Sequence, residues 1–571
     1  MNNATLPIVN RQPEFIEQLL DEQRDLSAVE LFSDWHSSHD DSDVAVAPAQ
    51  EKYYRRLLPA SAPGVNQQFA FEVDLNACSG CKACVVACHT LNGLEEDESW
   101  RRVGTLLVGD PEYSDAASIQ HVTTACHHCE DPGCLNGCPV KAYDKDPVTG
   151  IVKHLDDQCI GCKYCTMMCP YEVPQYSKRL GIVRKCDMCH QRLSVGEAPA
   201  CVQSCPNEAI RITIVSKGVN LFDDCDSIVP SAPSSAITMP TTRYTSQFPL
   251  EPRNARPQDE HVDEVAESHW PLAMMLVATQ ISVGILIAES IATITLTLLA
   301  IDVPTALPIT AALSAFVIAN LGLGIAPLHL GQPLRMWRVF LGLRTCWLSR
   351  EAVILGKFMG ILALGLTLQL LPVVWDWIPA SVQAYVPTQW IPSWAGRALV
   401  ISSIPVGLAG LYCSAMIYIA TKRRLWRSQR TLPRFFGTAL TSGPIVAATI
   451  FATAGFGITA AILCFVGLSV GVWKWTLERR LYDPTRCQSD TYDARSKRLI
   501  DSHLSETLRM RSFCAVIAIA IAALACVLCP FLPMAGGLVA LSSALVWIVG
   551  ENLERLLYFQ SVVYDRMPGT L

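Results

Sequence analysis

Cys78-Ser79-Gly80-Cys81-Lys82-Ala83-Cys84-Val85-Val86-Ala87-Cys88 opens the stretch of sequence that decides this fold, and Cys205 closes it. Three further groups lie within it: Cys126-x2-Cys129-x4-Cys134-x3-Cys138 before Pro139, Cys159-x2-Cys162-x2-Cys165-x3-Cys169 before Pro170, and Cys186-x2-Cys189-x11-Cys201-x3-Cys205 before Pro206. Three closely spaced thiolates can wrap one corner of an iron–sulfur cube. The fourth points away, the proline turns the chain, and that thiolate reaches a neighbouring cube. Four groups of this kind predict four [4Fe–4S] clusters with no cysteine left over. Zinc also takes C-x2-C pairs, but it needs four ligands and no C-x3-C-P tail. A disulfide scaffold suits a short secreted chain rather than one of 571 residues with apolar spans.

Outward from these cysteines the sequence divides sharply. Half of the residues are hydrophobic and 17% are charged, but the apolar residues concentrate after Pro271. Residues 1–66 read as a polar extension, with short amphipathic helices suggested by Phe15, Ile16, Leu19 and Leu20, then Leu26, Val29 and Phe32. Such an arm is either loosely ordered or a docking segment for a partner. Residues 67–215 form the cluster domain. Strands are expected at Phe69–Leu75 and Ile151–Leu155, each leading into a cysteine group, and at Ala209–Val215 after the last group. Residues 216–268, with prolines at 230, 233, 240, 249, 252 and 257 among Ser and Thr, read as a linker. Residues 269–560 are a membrane anchor and 561–571 a tail. The fold class expected is therefore an α+β di-ferredoxin-like domain with four [4Fe–4S] clusters, followed by an all-α eight-helix transmembrane bundle.

Eight apolar segments are long enough to span a bilayer, which takes ~20 residues: roughly 271–299, 305–328, 351–374, 397–420, 435–454, 457–476, 512–530 and 533–551. The other eight cysteines, Cys225, Cys346, Cys413, Cys464, Cys487, Cys514, Cys526 and Cys529, lack ligand spacing and read as fillers. The net charge of −7 offers no basic footprint for nucleic acid. No apolar export segment occurs in the first sixty residues, and the Leu57–Gly64 stretch after Arg55-Arg56 is too short and broken for a twin-arginine signal.

Positive charge sets the expected orientation. Arg335, Arg338, Arg344 and Arg350 come after span two; Lys422, Arg423, Arg424, Arg427, Arg430 and Arg434 come after span four. Arg479, Arg480, Arg486, Arg495, Lys497, Arg498, Arg509 and Arg511 come after span six. All lie on the side of the cluster domain. The positive-inside rule then puts that domain at the cytoplasmic face of an inner (cytoplasmic) membrane.

After residue 271 the only histidines are His329 and His503. A b-type haem inside the spans would normally take axial histidine, so no haem relay is expected. Electrons must enter and leave on one side, through a lipophilic carrier such as a quinol docked near the clusters. His329 closes span two in His329-Leu330-Gly331-Gln332-Pro333 and could accept a quinol proton. Glu289 inside span one is a functional candidate because a charge there is costly. Arg338, Arg350 and Glu351 flank the same site, although the arginines could equally anchor lipid headgroups.

These residues carry a family likeness. Residues 70–215 resemble the four-cluster iron–sulfur subunit of the dimethyl sulfoxide reductase family of molybdoenzymes. The fourth motif carries it most clearly: Cys186-Asp187-Met188-Cys189, then Gly196-x2-Pro199-Ala200-Cys201-Val202-x2-Ser204-Cys205-Pro206. Some relatives replace the second cysteine of group three by Trp and hold a [3Fe–4S] cluster, whereas Cys162 is present here. Residues 268–560 resemble the eight-span anchor of the same enzymes, through His329-Leu330-Gly331-x-Pro333, Ser349-Arg350-Glu351, and Gly550-Glu551 with Arg555 and Tyr558. The sequence departs from the family in fusing the two subunits and in carrying residues 1–66. The resemblance implies a separate molybdopterin-containing catalytic subunit, menaquinol or another quinol bound at His329, Gly331 and Pro333, and a place in anaerobic respiration. It also implies the ligand sets. Cys78, Cys81, Cys84 and Cys205 hold the cube nearest the partner. Cys159, Cys162, Cys165 and Cys138 hold the one nearest the quinol. Between them lie Cys88 with Cys186, Cys189 and Cys201, and Cys169 with Cys126, Cys129 and Cys134. The same chain run in reverse would reduce quinone for a dehydrogenase. A transporter with a ferredoxin domain would instead need several paired ionisable groups within the spans.

Overall fold

The computed structural model describes residues 51–109, 118–218, 227–247, 255–260, 262–377, 379–383, 392–481 and 492–569. The helices expected before residue 50, Cys225, Cys487 and Arg486 lie outside these residues. The cluster domain is built from short strands and cysteine turns. Strand β1 (Gln67–Asp74) leads into the first group, β2 (Arg102–Val108) and β3 (Ser118–Thr124) into the second, β4 (Tyr143–Lys145) and β5 (Val152–His154) into the third, β6 (Gln175–Ser177) and β7 (Ile182–Arg184) into the fourth. β8 (Ile210–Ser216) comes after Cys205 and pairs antiparallel with β1, Phe71 opposite Ile212. The strand-before-cysteine pattern expected at two groups thus holds at all four.

The segment expected as a linker does more than connect. β9 (Arg243–Thr245) adds to the free edge of β1, and β10 (Ala255–Pro257) adds to β2. It has too few apolar residues for a core of its own, but it can complete two open sheet edges, which otherwise leave backbone groups unpaired.

Among the described residues eight helices are long and apolar enough to cross a membrane: α1 (Trp270–Leu298), α2 (Ala306–Ile325), α3 (Trp347–Val374), α4 (Ala395–Ile419), α5 (Ser428–Thr453), α6 (Gly457–Leu481), α7 (Ser505–Leu528) and α8 (Pro533–Gln560). They pack as two groups of four. α1–α4 form one, α5–α8 the other, and α1 lies against α5 at the centre. Both central helices are 78% buried over their apolar windows, against 22% for α3. Small residues permit the crossing. A Cβ on Gly284 would stand 2.1 Å from the Ala439 carbonyl oxygen, and one on Gly443 would stand 2.2 Å from the carbonyl carbon of Gly284. Gly455, at φ +89°, makes the turn between α5 and α6.

Several helices run past the ends that hydropathy gives them. α5 begins at Ser428, α6 continues to Leu481, α7 begins at Ser505 and α8 continues to Gln560. All four extensions are at the cluster end, and all carry charge.

Candidate metal centres and the membrane-facing site

The same local turn recurs in groups one and three. Gly80 and Gly161 take φ of +70° and +68°, and Lys82 and Lys163 take +61° and +57°. Left-handed residues tighten the backbone at these turns, and in three of the four groups a backbone N–H faces a cysteine sulfur. Gly161 N–H donates to Cys159 Sγ at 3.4 Å, and Ala142 N–H to Cys138 Sγ at 3.2 Å. Met188 N–H donates to Cys186 Sγ at 3.4 Å, and Ala209 N–H to Cys205 Sγ at 3.2 Å. Such bonds raise the reduction potential of a cluster by stabilising charge on sulfur.

The fold gathers cysteines distant in sequence. Burial pushes the Cys78 thiol up, and Cys84, Cys205 and Cys81 push it the same way. Burial lifts Cys88 to about 12, with Cys201 and Cys189 adding to it. Cys134 is raised by burial and by Cys169, Cys126 and Cys129. Cys162 is raised by burial and by Cys138 and Cys159. The cysteines that act on one another here thus come from different groups of the sequence, the kind of neighbourhood that the family likeness implies. One set, Cys126, Cys129, Cys134 and Cys169, lines a common cavity. Thiols so buried become thiolates only against a compensating positive centre, so soft thiolate ligands around such a space suit an iron–sulfur cube.

Two buried cations stand between the sets, and spacing alone points to neither. Lys185, 2% exposed, places Nζ 3.6 Å from Cys126 Sγ and donates to the Cys186 carbonyl at 2.7 Å. Burial works against this ammonium, but Cys126, Cys134 and Cys186 hold its pKa above the usual lysine range. Arg101, also 2% exposed, donates to Thr123 Oγ1 at 3.1 Å. Burial opposes its charge too, and Cys201, Cys84, Cys186 and Cys88 outweigh that. The one signal in the sequence is the basic pair directly before a cysteine, Arg184-Lys185-Cys186.

The anchor meets the third group directly. Past α2 the chain forms a 3₁₀ turn (Ala326–His329), then Gly331 and Gln332, then a 3₁₀ segment (Pro333–Gly342). Gln332 N–H donates to the Ile160 carbonyl at 3.0 Å, and Gln332 Nε2 to the Leu180 carbonyl at 2.8 Å. A Cβ on Gly331 would lie 2.0 Å from the Gly181 carbonyl oxygen, so only glycine fits there. Leu330 packs with Cys159, Cys165 and Ile160. Pro333 starts the 3₁₀ segment, whose Arg335 and Arg338 donate to the backbone carbonyls of Asp156 and Asp157. On the α3 side, Ser349 Oγ donates to the Pro139 carbonyl at 3.3 Å, and Cys346 Sγ to the Gly137 carbonyl at 3.0 Å. Tyr164 reaches back to the Ile417 carbonyl of α4 at 2.9 Å.

His329 is half-buried, bonded through Nδ1 to the Ala326 carbonyl, and close to Lys163 and His269. His269 stands just before α1, outside the apolar run that begins at 271, so hydropathy gives no reason to single it out. Glu351 is 3% exposed, takes a hydrogen bond from Ser414, and lies near Tyr164 and Cys346. His329 and Glu351 thus approach the adjacent residues Lys163 and Tyr164. Arg350 does not face the site. It caps the preceding loop through the Leu343 and Arg344 carbonyls, at 3.0 and 2.7 Å, and lies over the Trp347 ring. Glu289 lies away from this junction. It stands nineteen residues along α1, about 28 Å from the cluster end at 1.5 Å per residue. There it pairs with Arg397 of α4 at 2.7 Å and with Thr293. A lone carboxylate in an apolar run reads alike whether functional or paired, until the partner helix is known.

Next to this junction a cavity of about 340 Å³ is lined by Met167, Glu172, Glu267, His269, Arg423 and Tyr564, among others. It connects the cluster turn with polar groups on both domains.

Residues 117–214 match the 4Fe-4S dicluster domain model, and residues 265–560 match the DMSO reductase anchor subunit (DmsC) model. The protein is 36% identical over 178 residues to the B subunit of the anaerobic dimethyl sulfoxide reductase of Escherichia coli (strain K12), covering 30% of this chain and 86% of that one. It is 34% identical over 180 residues to the corresponding B subunit of Haemophilus influenzae, covering 30% and 87%. It is 34% identical over 168 residues to the formate dehydrogenase-O iron-sulfur subunit of Escherichia coli (strain K12), covering 27% of this chain and 56% of that protein.

Proposed function

The protein belongs to the DMSO reductase anchor subunit family, with an iron–sulfur electron-transfer domain fused ahead of the multi-pass membrane anchor, and on that premise we propose that it oxidises a membrane quinol and feeds a separate molybdopterin-dependent reductase subunit. The observation that carries this reading is the contact of the His329–Pro333 turn with the cysteine turn at Ile160 and Gly161. A carrier docked at the end of α2 lies one turn of backbone from the Cys159, Cys162, Cys165 and Cys138 set. Four [4Fe–4S] cubes, held by the sixteen cysteines from Cys78 to Cys205, would supply one-electron carriers between quinol and partner.

The residues divide the remaining work. Oxidation of a quinol to a quinone releases two electrons and two protons. The His329 imidazole takes a proton from the quinol hydroxyl through Nε2, while the Ala326 carbonyl orients the ring through Nδ1. Glu351 serves as a second buried acceptor near Tyr164. Gly331 and Pro333 shape the turn, and Arg338 fixes it to the cluster domain. The cavity at His269 and Glu267 gives released protons a polar route out. In the set at Cys78, Cys81 is exposed, which suits the docking of the partner there. The positive loops favour the cytoplasmic side for the cluster domain. No b-type haem is part of this reading, and a reduced-minus-oxidised spectrum of the pure protein tests that.

His329→Ala should reduce quinol-dependent bleaching of the clusters by roughly 10²-fold or more, the worth of a positioned acid–base group, while dithionite still reduces them fully. A variant that bleaches with quinol at the wild-type rate would remove His329 from the mechanism. The reverse direction, quinone reduction for a dehydrogenase, has support from the formate dehydrogenase likeness. Comparing cluster reduction by quinol with cluster oxidation by quinone in the assembled complex separates the two.

A further inference from the structure

The second four-helix group encloses a charged cluster that electron transfer does not use. Lys474 and Glu478 of α6, Arg511 of α7, Glu551, Glu554 and Arg555 of α8, and Arg434 of α5 are all buried. Lys474 pairs with Glu551 and, at 3.2 Å, with Glu478; Arg511 meets Glu478 at 3.0 Å and Glu551 at 3.2 Å; Arg434 and Arg555 meet Glu554 at 3.4 and 3.3 Å. Among the described residues four cations therefore face three carboxylates. One positive charge is left over where charge is expensive.

A cavity of about 790 Å³ opens onto this cluster at the cluster-domain end of α6, α7 and α8, bounded by Arg434, Glu478, Arg511 and Glu554 on its polar side. Arg479 and Arg480 also line it and are exposed, so among the described residues that line it arginines outnumber glutamates. Arg511 is 2% exposed, and its Nε and Nη1 have no hydrogen-bond partner among the described residues. A buried guanidinium with idle donors calls for an acceptor. The rest of the lining is mostly apolar. Trp475, Phe513 and Val516 belong to it, and Phe513, 67% exposed, continues onto the outer face of α7.

We propose that this cavity binds the phosphate headgroup of an anionic glycerophospholipid, with its acyl chains along Phe513 and Val516. Phosphate offers the bidentate acceptors that arginine matches, and its charge balances the excess. A quinol is neutral and would leave that excess uncompensated. The site lies where the apolar runs of α6 and α7 give way to arginines, and basic pockets between helices at such a border select anionic lipid. The headgroup then ties α6, α7 and α8 together.

Native mass spectrometry of the full chain in mild detergent tests this, with dioleoyl phosphatidylglycerol, dioleoyl phosphatidylcholine or inorganic phosphate added. Phosphatidylglycerol should stay bound and phosphatidylcholine should not. The exposed double variant Arg479→Gln/Arg480→Gln should weaken phosphatidylglycerol retention about tenfold or more, and Arg511→Gln should abolish it. The double variant keeps the test valid if Arg511→Gln does not fold. Equal retention of the two lipids, or wild-type retention by the double variant, would overturn the proposal. Displacement of phosphatidylglycerol by equimolar inorganic phosphate would overturn the lipid source and leave a free-anion site.

Discussion

Single residues in the cluster domain set electrostatics more than shape. Lys185 sits against Cys126 and Cys186, which the family likeness assigns to different cysteine sets, so on that assignment its charge acts on both. Its pKa is held above the ordinary lysine value, so it stays cationic throughout the physiological range and supplies no pH switch there. Lys185→Met keeps the length and removes the charge. The expected result is a shift of two cluster potentials to more negative values in a redox titration followed by electron paramagnetic resonance, because net charge near a cluster is one of its main controls. Unchanged potentials with full iron content would mean that the cation only fills space. Arg101 makes the same case for the Cys84 and Cys201 sets. All sixteen thiols and their spacing are legible in the sequence. These cations are not, since a lysine next to a cysteine is ordinary until the backbone turns it inward.

At the scale of elements, two separate parts of the anchor half hold the cluster domain. The turn after α2 grips Gly161 and Gly181, and the tail after α8 returns over β2. Tyr564 bonds to Glu172, Arg423 lies over the Tyr564 ring at 3.9 Å, and the Gly569 N–H donates to Asp259 at 2.9 Å. Met567, fully buried, packs with Leu106, Val108, Val122 and Tyr171. Residues 561–571 read as a tail in sequence, but one methionine gives them a core position. Met567→Ala should cost about 2–4 kcal/mol of cluster-domain stability. Thermal unfolding observed through loss of iron absorbance would show it as a lowered midpoint, and an unchanged midpoint would mean that the tail only rests on the surface.

The molecule as a whole joins an electron wire to a bilayer through several contacts at once. The anchor meets the cluster domain through the α2 turn, α3, α4 and the tail, while the β9 and β10 strands are part of its sheets. On the proposed function, rigid docking would keep a quinol close to the nearest cluster. Orientation belongs to this scale as well. Protease added to oriented inverted vesicles should cut the cluster domain, and protease added to cells stripped of their outer wall should not. Protons from the quinol would then be released on the side where the reductase consumes them, with no membrane potential generated by this step alone. Cleavage in the stripped cells with protection in inverted vesicles would reverse the assignment and require a signal-bearing partner to carry the domain outward.

The sequence by itself determined the parts that depend on spacing and hydropathy: four cysteine groups, the strands into groups one and three, eight spans, and the His329–Pro333 turn on the cluster side. These are local or periodic, so a linear reading reaches them. Tertiary structure alone decided which charges are paired. Hydropathy ends a span where charges begin, which stops α6 at 476 and α8 at 551. The helices continue, and Glu478 and Glu554 pair inward with Lys474, Arg434, Arg511 and Arg555 across four helices. The same limit hid the partner of Glu289, Arg397, which lies 108 residues away. A burial cost is visible in one residue, but what offsets it belongs to the packing of many.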